Sequence, residues 1–91
     1  MIGVLMEKFS YDDKGKIVLP KLKGIKLVYD ISKDEHFRWV DLSLIEQLRC
    51  IADELEINAD PIDFGNAFTE EEKKILNEES KRLSELAEKY I

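Results

Sequence analysis

The chain has 91 residues, 44% of them hydrophobic, which suits one compact domain able to bury roughly 60 to 65% of its unfolded surface. Charged residues reach 37% and the net charge is −6: residues 1–40 carry eight Lys or Arg against six Asp or Glu, or +2, and residues 41–91 carry six against fourteen, or −8. This split disfavours a uniformly basic nucleic-acid binder, the lone Cys50 excludes an internal disulfide and a cysteine metal cluster, and no apolar run reaches the length of a membrane span.

A cytoplasmic setting follows most simply. The apolar opening, residues 1–6, is too short for a secretory signal and has no basic residues before it. Charge carried mostly by Lys and Glu, with a single Gln (Gln47) and a single Thr (Thr69), is the usage of a hot-growing source.

Taken in order, residues 2–9 are dense in apolar side chains and predict a strand, and 11–16 are turn chemistry, with Gly15 free to take positive φ. Lys16 to Leu19 alternate until Pro20 removes a ladder donor, so the first two strands are expected to form a hairpin. After Lys21-Leu22-Lys23-Gly24, the residues Ile25, Leu27, Tyr29 and Ile31 alternate against Lys26, Val28 and Asp30, predicting a third strand with one inward face. Residues 36–40, with Phe37 and Trp39 on one side, predict a fourth strand or an ordered aromatic loop.

The period then changes from two to 3.6. Leu44, Ile45, Leu48, Ile51, Ala52 and Leu55 form one stripe on a helix spanning about 43–57, opened by a Ser43–Glu46 capping box and ended by Asn58 and Pro61. A loop pinned by Ile62, Phe64, Ala67 and Phe68 follows. Thr69–Glu72 is a second capping box, opening a helix over about 69–90 whose i,i+4 pairs are Glu70–Lys74, Glu78–Arg82 and Glu85–Lys89. Its apolar stripe breaks at Glu79 and Ser80, which predicts the more peripheral helix of the two. The expected fold is therefore α+β: a three- or four-stranded antiparallel sheet over residues 2–40 with two helices packed on it, in a single domain spanning 1–91.

Little in the chain points to catalysis. His36 is the only histidine; although Asp34, Glu35 and Asp41 lie nearby, a histidine site normally needs an orienting partner or further ligands. Asn58, Asp60, Asp63 and Asn66 match a calcium loop in composition only, since no register supplies its glycine and its final acid. No nucleophile constellation or phosphate loop is present, so an enzyme is the least expected class, and no catalytic, cofactor-binding or metal-binding residue is assigned. Trp39, beside Phe37 and Arg38, reads as core or as an interface anchor. Lys14, Lys16, Lys21, Lys23 and Lys26 crowd one stretch and read as a solvent-facing guard of edge strands or as a basic face.

The run Asp13-Lys14-Gly15-Lys16-Ile17-Val18-Leu19-Pro20 resembles the D-x-G-R-[IV]-V-[IL]-P segment of AbrB-type swapped-hairpin domains, a DNA-binding and antitoxin family, over about a tenth of the chain. Lys16 stands where that family has Arg, and only Lys21-Leu22-Lys23 separates Pro20 from Gly24-Ile25, where the family inserts a short helical segment. The likeness is that of a hairpin, and it implies a nucleic-acid module using the Lys-rich stretch. The leading expectation is different: a small acidic protein-interaction or regulatory module that takes a protein partner or self-associates as a homodimer. The contacts would come from an exposed strand edge or from Phe37, Arg38, Trp39 and Tyr90.

Overall fold

The structure is a computed structural model that describes residues 8–90; the strand expected over residues 2–9 falls largely outside them. Two helices dominate: α1 spans Leu44–Ala59 and α2 spans Glu70–Lys89. Each starts at the capping box written in the sequence. The Ser43 hydroxyl accepts from the Glu46 amide at 3.2 Å and the Glu46 carboxylate accepts from the Ser43 amide at 2.8 Å. Thr69 and Glu72 repeat this at 3.1 and 2.8 Å. Those two amide–carboxylate bonds complement the free donors of each first turn, and at Glu46 they hold the carboxyl below its ordinary range.

α1 and α2 pack antiparallel, with Ala52 opposite Ser80 and Arg49 and Asp53 beside Ser84 and Glu88. Leu48, Ile51, Ala52 and Leu55 of α1 and Leu76, Leu83, Leu86 and Ala87 of α2 are buried, as the stripes require. The break at Glu79 and Ser80 does not make α2 peripheral. Both residues are buried, and the Ser80 hydroxyl donates to the Ala52 carbonyl at 2.7 Å, which ties the two helices at mid-length. Glu70–Lys73 and Glu79–Arg82 are ion pairs at i,i+3.

The expected sheet is absent among the described residues. They contain no strand; before α1 there are an isolated antiparallel bridge between Tyr11 and Ile17 and 3-10 turns at Pro20–Leu22, Ile31–Lys33 and Trp39–Asp41, and a further 3-10 turn, Gly65–Ala67, lies between the helices. The α+β reading is corrected to a helical hairpin covered by an irregular N-terminal segment.

Over the described residues, each strand that does not form has a local reason. At 12–16 the turn forms: Asp12 accepts from the Lys14 and Lys16 amides at 2.9 and 3.0 Å, and Gly15 takes φ +85° with the Val40 side chain so close that a Cβ there would lie 2.5 Å from it. Its ladder stops almost at once, because Pro20 opens a 3-10 turn that carries the chain away. Over 25–28 the burial alternation exists, with Ile25 and Leu27 turned inward and Lys26 and Val28 outward, and it breaks at the exposed Tyr29 and half-buried Asp30. Yet the Val28 and Tyr29 amides both donate to one oxygen, Asn58 Oδ1, at 2.8 and 2.9 Å. Consecutive amides of a strand point to opposite edges, so this segment bends. The expected fourth strand becomes a turn at Asp34–Phe37 and the 3-10 turn at Trp39–Asp41, with Trp39 buried.

Candidate functional site

Three buried polar side chains of α1, Gln47, Glu54 and Asn58, lie seven and four residues apart, on one line of the helix beside its apolar stripe. Each holds a different point of the N-terminal segment. Gln47 Nε2 donates to the Trp39 carbonyl at 3.1 Å, Glu54 accepts from the Ile31 amide, and Asn58 takes Val28 and Tyr29. Residues 28–39 therefore run antiparallel along α1. Asn58 is completely satisfied: its Oδ1 accepts twice, and its Nδ2 donates to the Tyr29 and Glu54 carbonyls, both at 2.8 Å. One side chain does here what a neighbouring strand would have done.

Glu54, 1% exposed, also forms the centre of an ion cluster. Lys16 Nζ lies 2.8 Å from Glu54 Oε1, 3.3 Å from Asp30 Oδ1 and 5.2 Å from the Trp39 ring centroid. Burial pushes the Glu54 carboxyl above its ordinary range; the Lys16 hydrogen bond and charge pull the other way, and the Asp30 charge adds to the rise. At Asp30 burial also opposes ionisation, but the Ser32 hydroxyl and Lys16 outweigh it and hold that carboxyl low. Cys50 is held as a thiol by burial and by Glu54 and Asp53.

The lysines fall into two groups. Lys16 is turned inward, its side chain 13% exposed, and Lys21 reaches the buried Glu79 of α2 at 3.6 Å, where Arg82 also bridges. Lys16 fastens the N-terminal segment to α1, whereas the Lys21 contact with α2 is longer and its side chain stays largely exposed. Lys14 donates to the Ser32 carbonyl at 2.6 Å, and Lys23 and Lys26 are exposed. The five are thus dispersed, on a segment whose hairpin pairing is limited to the Tyr11–Ile17 bridge.

Phe37, Arg38 and Trp39 come together. The Phe37 and Trp39 rings meet edge to face, centroids 4.8 Å apart at 68°, with Trp39 buried and Phe37 half-buried. Arg38 is exposed and bridges Asp41 at 3.2 Å. Phe37, Arg38 and Val40 line a groove of about 410 Å³ together with Lys14 and the carboxylates of Asp13, Asp34 and Glu35. Val40 is 61% exposed, a large apolar side chain left facing water. Tyr90 follows α2, half-buried against the core, and does not line this groove. His36 is exposed, its amide bonded to Asp34.

Val40, Glu54 and Asn58 were not singled out as site residues from the sequence. For the last two a signal existed: polar residues repeating with the helix period next to a complete apolar stripe. Among the described residues no group of three or more His, Cys, Asp or Glu is arranged to hold a metal ion, and no helix is long and apolar enough to cross a membrane. No protein-family model matches the chain, and neither a curated protein nor a solved structure matches it.

Proposed function

We propose that this chain is a small protein-interaction module, with the helical hairpin as a rigid support and the groove beside Phe37 as the surface that meets a protein partner. The observation that carries this reading is the groove itself, where Phe37, Arg38 and the exposed Val40 converge in a volume of about 410 Å³. A strand edge has no part in it, and Trp39 acts from beneath by holding Phe37 edge-on. A nucleic-acid role is not favoured, because Lys16 and Lys21 are engaged with buried carboxylates and the groove is lined by three acids. The lone thiol of Cys50 suits a cytoplasmic setting.

A photo-crosslinking side chain placed at Arg38 tests this in the protein's own cells. The expected result is a protein adduct that disappears when Val40→Asp is added and that a crosslinker at the exposed Glu78 does not form. Identical adducts from both positions, or none from position 38, would overturn the reading. An adduct with a second copy of the chain would make the partner a homodimer subunit.

A further inference from the structure

The groove's chemistry narrows its partner. Its apolar lining comes from Phe37 and Val40, and its charged lining is three carboxylates against two cations. Arg38 is paired with a carboxylate outside the lining, Asp41, at 3.2 Å, and Lys14, hydrogen-bonded to the neutral Ser32 carbonyl at 2.6 Å, offsets one of the three lining carboxylates, so the groove stays negative. Asp34 accepts from the His36 amide, whereas Asp13 and Glu35, both exposed, have no ion-pair partner among the described residues. The site therefore offers uncommitted negative charge around an exposed apolar side chain, on a chain whose net charge is −6.

Resting on the interaction reading above, we infer that this groove takes a basic segment bearing one large apolar anchor: the anchor packs against Phe37 and Val40 while flanking Lys or Arg side chains meet Asp13 and Glu35. Exposed charge pairs are individually weak, so the cations steer and orient while the anchor supplies most of the affinity. A purely cationic ligand lacks the anchor, and an acidic one is repelled.

The test uses fluorescently labelled peptides and the whole chain, read by anisotropy, with Trp39 emission locating the binding because it is the only tryptophan and lies edge-on to Phe37. The probe is Lys-Lys-Phe-Lys-Lys, compared with Lys-Lys-Gly-Lys-Lys and Glu-Glu-Phe-Glu-Glu. Saturable binding is expected for the first, with affinity about tenfold or more weaker when the Phe is replaced by Gly, as loss of a buried aromatic side chain demands, and none for the acidic peptide. Val40→Ser should weaken binding roughly three- to tenfold through lost apolar contact. Glu35→Lys should weaken it at low salt and flatten its salt dependence. Both positions are exposed, and an unchanged thermal midpoint confirms that each variant folds. Equal binding of the Phe and Gly peptides, binding of the acidic peptide, or indifference to both substitutions would overturn the inference. If position 38 still crosslinks a protein while the Lys-Phe peptide fails to bind, the interaction module stands and this partner chemistry falls.

Discussion

The helical hairpin and the N-terminal segment obey different rules. In the hairpin, side chains three and four residues apart make one apolar stripe, each helix starts at its own box, and α1 buries its stripe against α2. In residues 8–43 much of the order comes from elsewhere in the chain: from Glu54, 38 residues from Lys16, from Asn58, 29 and 30 residues from its partners, and from Glu79 beyond them. Apolar periodicity reports how a segment is buried, whereas the identity of its hydrogen-bonding neighbour is a separate matter that two side chains of one helix can decide.

The sharpest way to break this contrast is to remove Lys16. Lys16→Met leaves Glu54, 1% exposed, without its cation and should cost about 3 to 5 kcal/mol by chemical denaturation, whereas Lys16→Met with Glu54→Leu should recover most of that loss. A double variant as unstable as the single would show that the ion pair is needed for more than charge balance. On the hairpin side, Leu48→Ala, at a site with no exposure, should cost about 2 to 5 kcal/mol in the same measurement; a loss under about 1 kcal/mol would remove α1 from the centre of the fold.

Asn58→Ala should cost about 1 to 3 kcal/mol, because it orphans the Val28 and Tyr29 amides and the Tyr29 carbonyl. Amide exchange is expected to accelerate at 28 and 29 while α1 and α2 keep their protection. Equal loss in both regions would mean that they do not behave as separate units.

The smallest effect is on pH dependence, and it discriminates between the two carboxylates of the seam. The folded chain takes up the Glu54 proton at higher pH than the unfolded chain does, so stability should rise as pH falls from neutral and level off near the ordinary glutamate value of 4.5. Asp30 has the opposite sign: its contribution is lost as pH falls below the ordinary aspartate value of 3.8. Glu54→Gln should abolish the rise and leave the fall, as followed by thermal midpoint against pH.

Much of the hairpin could be read directly. Ser43, Glu46, Thr69 and Glu72 specify their caps through contacts three residues long, and Leu48 and Ile51 sit mid-stripe. The α+β expectation fails because the alternation of Ile25 to Ile31 in the sequence does not specify a strand partner. The partner is Asn58, whose place near the end of α1 reads as a helix stop. Lys16 reads as a solvent-facing guard or part of a basic face for a similar reason: nothing nearby in the chain reveals that its counter-charge stands at position 54. Of the candidate site, Phe37 and Arg38 could be nominated from composition, but Val40 joins them only through the turn at Trp39–Asp41 and the close approach of Gly15.

That Asn58 binds residues 29 and 30 positions earlier also sets an order in time. The α1–α2 hairpin closes over residues 60–69, so it can form while residues 8–43 are still a coil, and the contacts of Lys16 with Glu54 and of Asn58 with Val28 and Tyr29, which close longer loops, are expected to form last. Interactions that form after the barrier act on the rate of leaving the native state. Asn58→Ala should therefore speed unfolding with little change in refolding, while Leu48→Ala slows refolding as well. The seam, built from a handful of polar atoms, governs how long the folded chain lasts rather than how quickly it is reached.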